Sequence, residues 1–214
     1  MQLADFAESP NLVALFLRRA GERGEAPLLW RKQDGAWQAI SWQETARQVC
    51  LLAESLRALG LNPGERVLIV SENRPEWCIA DLAIMAAGLV TVPAYTTNTT
   101  RDHLHVLQNS GARAAIVSNA KLAGALLPAV ISSDCCDHVI GMEPLRAGQG
   151  GFRLHDWSAL VQGDAAWARL SVEARIAAIG RPDLACLIYT SGTGGAPRGV
   201  MQHHGAILCN IEGA

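Results

Sequence analysis

The stretch 67–70 reads Val-Leu-Ile-Val, an apolar run rich in β-branched residues and without a polar one. A strand with one wet face alternates apolar and polar residues, because successive side chains point to opposite sides. An unbroken apolar run is instead a strand covered on both faces, and sheets of such strands carry helices above and below. The residues that follow repeat the theme. Pro75 opens a helix over 75–87 that Gly88 closes, and 89–94 reads as a strand. Thr99 and Asp102 cap a helix that stops at Gly111, 114–118 is a strand, 121–131 a helix and 138–142 a further strand. This alternation predicts an α/β fold, with repeated βα units forming a mostly parallel sheet covered by helices.

The flanking segments are read in the same way. Residues 11–23 form a short amphipathic helix, with Asn11 as its cap and Gly24 as its stop. Two strand candidates, 28–32 and 37–41, are joined by Asp34-Gly35, a strong hairpin signal. Ser41-Trp42-Gln43-Glu44 has the form of a capping box, and Val49, Leu52, Leu56 and Leu59 follow at helical spacing before Gly60. Residues 143–165, with Gly148, Gly150 and Gly151, are the least regular part and the best candidate linker. A short helix over 172–178 is expected next, then a last apolar strand over 184–190. The resulting organisation is a first βα region over 1–142 and an irregular connection over 143–180. A strand, a loop and a following helix then fill 181–214.

Composition removes several function classes. Half of the 214 residues are apolar and 18% are charged, with a net charge of −2, which excludes a disordered chain. A protein held to nucleic acid by phosphate contacts would be basic. The six cysteines form no CxxC pair, and the adjacent Cys135 and Cys136 do not make a zinc knuckle. Reduced thiols in apolar runs point to the cytoplasm. No signal peptide is recognisable, and no stretch approaches the roughly 20 apolar residues of a membrane span. That leaves peripheral membrane contact open. The scattered tryptophans read as packing residues, and Arg18, Arg19 and Arg23 as a solvated helix face. His103 and His105 fall on different helix faces and read as exposed or half-buried groups, Asp134 and Asp137 as a solvated turn, and His203 and His204 as helix-start residues. No metal ligand set emerges.

The chemistry lies at 189–199, Tyr-Thr-Ser-Gly-Thr-Gly-Gly-Ala-Pro-Arg-Gly, directly after the last apolar strand. Gly192, Gly194 and Gly195 let backbone N–H groups turn inward around an anion. Thr190, Ser191 and Thr193 add hydroxyl donors, and Arg198 adds a permanent charge with a forked donor. Together they describe a polyphosphate cradle. It is not a Walker loop, because Gly195 is followed by Ala196-Pro197-Arg198 and not by Lys-Ser/Thr. Nor does it follow the first strand, as a dinucleotide-binding loop would.

This segment resembles the phosphate-binding loop of the adenylate-forming, AMP-binding superfamily, whose usual form is YTSGTTGxPKG. The matches are Tyr189, Thr190, Ser191, Gly192, Thr193, Gly195, Pro197 and Gly199; the departures are Gly194 for threonine and Arg198 for lysine. Residues 40–45, 64–77 and 85–99 resemble the earlier segments of these synthetases, and the wording of 71–77 and 92–99 is nearest to the N-terminal part of long-chain fatty acyl-CoA synthetases. The resemblance implies a two-step ligase reaction with fatty acid, ATP, Mg2+ and coenzyme A. A carboxylate attacks the α-phosphate of Mg-ATP, giving acyl-adenylate and pyrophosphate, and the coenzyme A thiol then displaces AMP. The substrate itself is the first nucleophile, so no catalytic side chain is named here. The adenine contacts, the magnesium carboxylate and the C-terminal domain of such enzymes would fall beyond Ala214, so residues 1–214 alone are expected to be inactive. Two other readings stand beside this one. The first is a non-catalytic phosphate- or partner-binding module, for which an unpaired sheet edge would favour self-association. The second is an adenylating enzyme acting on an aryl or amino acid.

Overall fold

A computed structural model describes residues 8–146, 150–190 and 197–213. The chain begins with α1 (Leu12–Arg23), which Asn11 caps by accepting from the Ala14 N–H at 2.8 Å. A hairpin of β1 (Pro27–Gln33) and β2 (Ala36–Ser41) follows, turning at Asp34 and Gly35, both with positive φ. A two-residue turn of that form matches the twist of the strands it joins. Then come α2 (Trp42–Ala58), β3 (Arg66–Val70), α3 (Pro75–Ala86) and β4 (Val90–Ala94). The chain continues through α4 (Thr100–Ser110), β5 (Ala114–Val117), α5 (Ala120–Ser133) and β6 (His138–Gly141). The last elements are β7 (Arg153–Asp156), α6 (Trp157–Leu160), α7 (Ala165–Ile176), β8 (Leu184–Thr190), β9 (Arg198–His203) and α8 (His204–Glu212).

Seven of these strands form one sheet in the order β7-β6-β5-β3-β4-β8-β9. All neighbours are parallel except β8 and β9. The apolar run of β3 divides between two cores as its alternation requires. Val67 and Ile69 join Ile116 and Ile140 under α1, α2, α3 and α7, through side chains such as Phe16, Leu52, Ile84 and Val172. Leu68 and Val70 join Val92, Val117 and Val139 under α4 and α5, through Leu107, Leu126 and Val130. Residues 67–70 are all fully buried. The helix ends are fixed locally: Thr99 and Asp102 close a reciprocal capping box on α4, and Gly111 ends it in the left-handed region at φ 62. A Cβ at Gly111 would also stand 2.6 Å from the Arg66 guanidinium, which bonds the Gly111 carbonyl at 3.1 Å.

Three segments differ from the sequence expectation. The irregular stretch 143–165 contains β7, a half-exposed edge strand in parallel register with β6. Its Arg-Leu-His-Asp sequence gives no apolar run, and pairing with β6 is what defines it. The helix expected over 172–178 runs instead over Ala165–Ile176, because Asp164 accepts from the Ala166 and Trp167 N–H groups and starts it a turn and more earlier. Between the glycine-rich loop and the last helix lies β9, paired antiparallel to β8. Three tryptophans are not packing residues: Trp30, Trp37 and Trp167 are more than half exposed. No helix among the described residues is long and apolar enough to cross a membrane.

Because Leu68 fills the core between β3, α4 and α5, Leu68→Ala is expected to cost about 2–5 kcal/mol in a urea melt. Trp37→Ala, at 66% exposure, should stay within about 0.5 kcal/mol of the parent. Equal effects would contradict the two-core arrangement.

Candidate functional site

The position of the site follows from the strand order. From β3 the chain passes through α3 to β4 on one side, and from β4 through α4 to β5 on the other side of β3. The two helices lie on opposite faces of the sheet. A crevice therefore opens beyond the carboxyl ends of β3 and β4, the place where open α/β sheets take ligands. β8 runs parallel to β4 and ends at the same edge. An open cleft here is lined by Tyr95, Thr97 and Asn98 after β4, by Arg101, Asp102, His105 and Val106 on α4, and by Tyr189 and Pro197.

The glycine-rich segment connects β8 to β9. Tyr189 stands opposite Gly199, and Thr190 opposite Arg198. Thr190 and Arg198 are both exposed at the mouth of the loop. Ser191, Gly192, Thr193, Gly194 and Gly195 lie outside the described residues. The Tyr189–Gly199 pair has a steric cause: a Cβ on Gly199 would sit 3.2 Å from the Tyr189 ring, which occupies that space. The buried Tyr189 donates its hydroxyl to Asn109 Oδ1 at 2.6 Å, and burial raises its pKa. His105 meets the Tyr189 ring edge-on, with centroids 6.3 Å apart, and its Nε2 donates to the Pro197 carbonyl at 2.8 Å. At the start of α4, the Thr99 hydroxyl and N–H bond Asp102 at 2.7 and 2.9 Å and hold its carboxyl below the usual range.

The acidic groups at the neighbouring strand ends are held by hydroxyl, amide and guanidinium donors. Glu72, after β3, accepts from the Ser118 hydroxyl at 2.5 Å and from Asn119 Nδ2 at 3.0 Å, and the Ser118 bond lowers its pKa. Arg74 joins Glu76 and Glu143, each at 2.8 Å. These contacts tie β3, β5 and β6 together at their carboxyl ends. Among the described residues no group of three or more His, Cys, Asp or Glu side chains is placed to hold a metal ion.

The histidines separate clearly. His203 caps α8 by accepting from the Ala206 N–H at 3.0 Å, the helix-start role its position implied. His204 is buried beside the Leu12 N–H, and burial lowers its pKa. His103 is not an exposed or half-buried group: it is buried, burial lowers its pKa, and its Nδ1 has no hydrogen-bond partner among the described residues. It sits on the inward face of α4, one residue from the polar cap. Asp81 was not singled out from the sequence, where it is one acid in an apolar helix. On α3, beside Thr91 and Cys186, its carboxyl is pushed up to about 6 by burial. All six cysteines are free thiols.

Comparison with known proteins gives a consistent result. The family model described as AMP-binding enzyme matches residues 16–214. The long-chain-fatty-acid–CoA ligase FadD15 of Mycobacterium tuberculosis is 32% identical over 97% of this chain and 33% of its own length. The long-chain-fatty-acid–CoA ligase ACSBG2 of Xenopus laevis is 31% identical over 99% of this chain and 29% of its own. Among solved structures, acetoacetyl-CoA synthetase from Streptomyces lividans superposes with a TM-score of 0.76 at 25% identity, over 94% of this chain and 31% of that one. The chain spans about a third of the length of the curated relatives it matches.

The raised pKa of Asp81 has a definite sign. Its folded value of about 6 lies above the ordinary 3.8, so the folded state binds the proton more tightly. That contribution is present at low pH and is lost as pH rises from about 4 to about 6. Asp81→Asn should therefore gain stability over the parent at pH 7.5, on the order of 1–3 kcal/mol, and little at pH 4, as read by urea melts at both values. A pH-independent difference would contradict the burial of this carboxyl.

Proposed function

Because this chain belongs to the AMP-binding enzyme family, we propose that its hairpin loop holds the β- and γ-phosphates of ATP during adenylation of a carboxylic acid. The acid's own oxygen attacks the α-phosphate, pyrophosphate leaves, and the thiol of coenzyme A takes the acyl group from AMP. The protein's part in the first step is to hold the leaving pyrophosphate in line and to balance its charge. Thr190, Ser191, Gly192, Thr193, Gly194, Gly195 and Arg198 are the residues assigned to it. The observation that carries this reading is the pairing of Thr190 with Arg198 at the cleft edge of the sheet, where a cation and a hydroxyl flank a glycine-rich turn. Mg2+ would enter with the nucleotide and neutralise part of the phosphate charge.

A long-chain fatty acid is the acyl substrate we favour. The names of FadD15 and ACSBG2 support it, as do the segments 71–77 and 92–99.

Titration calorimetry with Mg-ATP tests the phosphate assignment. A charge-assisted hydrogen bond contributes about 1.5–3 kcal/mol, so Arg198→Gln should weaken binding roughly 10- to 100-fold. Arg198→Lys, which keeps the charge and the residue usual in the family, should stay much nearer the parent. Equal binding by Arg198→Gln would contradict the assignment. Pyrophosphate exchange driven by palmitate, but not by benzoate or an amino acid, in a ligase carrying these residues would support the acyl assignment. The reverse preference would overturn it.

A further inference from the structure

We propose that His105 is a positioning residue for the phosphate loop, clamping the turn between the start of β9 and the end of β8. This rests on the reading that the loop holds phosphates. Fixing the backbone of glycine costs more conformational entropy than fixing any other residue, so holding the ends of a glycine-containing segment lowers the cost of seating an anion. Donors that are already in place when the ligand arrives bind it more tightly than donors that must be gathered.

The rigid element is α4. Its N-terminus is closed by the Thr99–Asp102 box and its C-terminus by Gly111, and Val106 and Leu107 anchor it in the core. His105 and Asn109 are four residues apart, so they share one helix face. Both reach the hairpin. Asn109 accepts the Tyr189 hydroxyl at 2.6 Å, and His105 Nε2 donates to the Pro197 carbonyl at 2.8 Å. The His105 ring also meets the Tyr189 ring edge-on, at an interplanar angle of 87°. One helix face thus holds the residue just before Thr190 and the residue just before Arg198, the two groups that flank the loop mouth.

The chemistry of the contact makes a specific demand. A carbonyl oxygen only accepts, so Nε2 must carry a proton. A replacement that keeps the clamp must therefore present an N–H donor at the same place.

The test compares three forms of the chain by calorimetry with Mg-pyrophosphate, beside their thermal melts. His105→Phe keeps a ring against Tyr189 and removes the donor. His105→Gln keeps an N–H donor. His105→Phe is expected to weaken pyrophosphate binding about 3- to 10-fold with an unchanged melting midpoint, the size of one neutral hydrogen bond. His105→Gln should bind within about twofold of the parent at pH 8, as a retained N–H donor predicts. If the Phe ring lowers the melting midpoint, His105→Ala, which removes the donor without bulk, takes its place. Parent-like binding by the donorless variants, or equal loss in His105→Gln, overturns the clamp while leaving the phosphate loop in place. Failure of the parent chain to bind pyrophosphate overturns the phosphate reading and the clamp with it.

Discussion

The two-sided burial of β3 is the constraint from which the rest follows. Val67, Leu68, Ile69 and Val70 have no exposed surface, so apolar helices must cover both faces of the sheet. Connecting helices can reach both faces only if the chain leaves neighbouring strands in opposite directions. It does so at β3 and β4, whose helices α3 and α4 pack on opposite sides. The crevice at their carboxyl ends is thus a by-product of covering the core. The glycine-rich turn reaches it because β8 adds in parallel beside β4.

Much of this was legible in the sequence because the signals were local. The Asn11 and Thr99 caps, the Asp34-Gly35 turn and the glycine stops each act within a few residues, and each element they bound is present. What was not legible depends on partners far along the chain. β7 is a strand only because β6 lies beside it, and β9 only because β8 does. Trp30 and Trp37 read as core residues by type, yet they lie on a two-stranded hairpin with exposed faces. The environments of His103 and Asp81 are set by the packing of α4 and α3, which residue type alone does not convey.

The site divides in the same way. The order of residue types in 189–199 names a phosphate loop by resemblance, and the structure adds reasons for two of its positions. A Cβ at Gly199 would stand 3.2 Å from the Tyr189 ring, so any larger residue there would press on that ring. Tyr189 is a tyrosine, and not a phenylalanine, because its hydroxyl has a partner in Asn109 eighty residues earlier. These are scaffold roles in a motif usually read for ligand contacts. They explain why a chain that departs from the usual pattern at Gly194 and Arg198 keeps the Tyr189 and Gly199 ends.

The central claim is that the cleft edge around this hairpin receives the phosphates of ATP. The most direct measurement is a titration of the isotope-labelled chain with Mg-ATP, followed by amide chemical shifts. Saturable shifts concentrated in 190–199 and in the facing turns of α4 near Arg101 and His105 are the predicted result. Absence of saturable shifts, or shifts centred on the β1–β2 hairpin or the α7 side of the sheet, would contradict it.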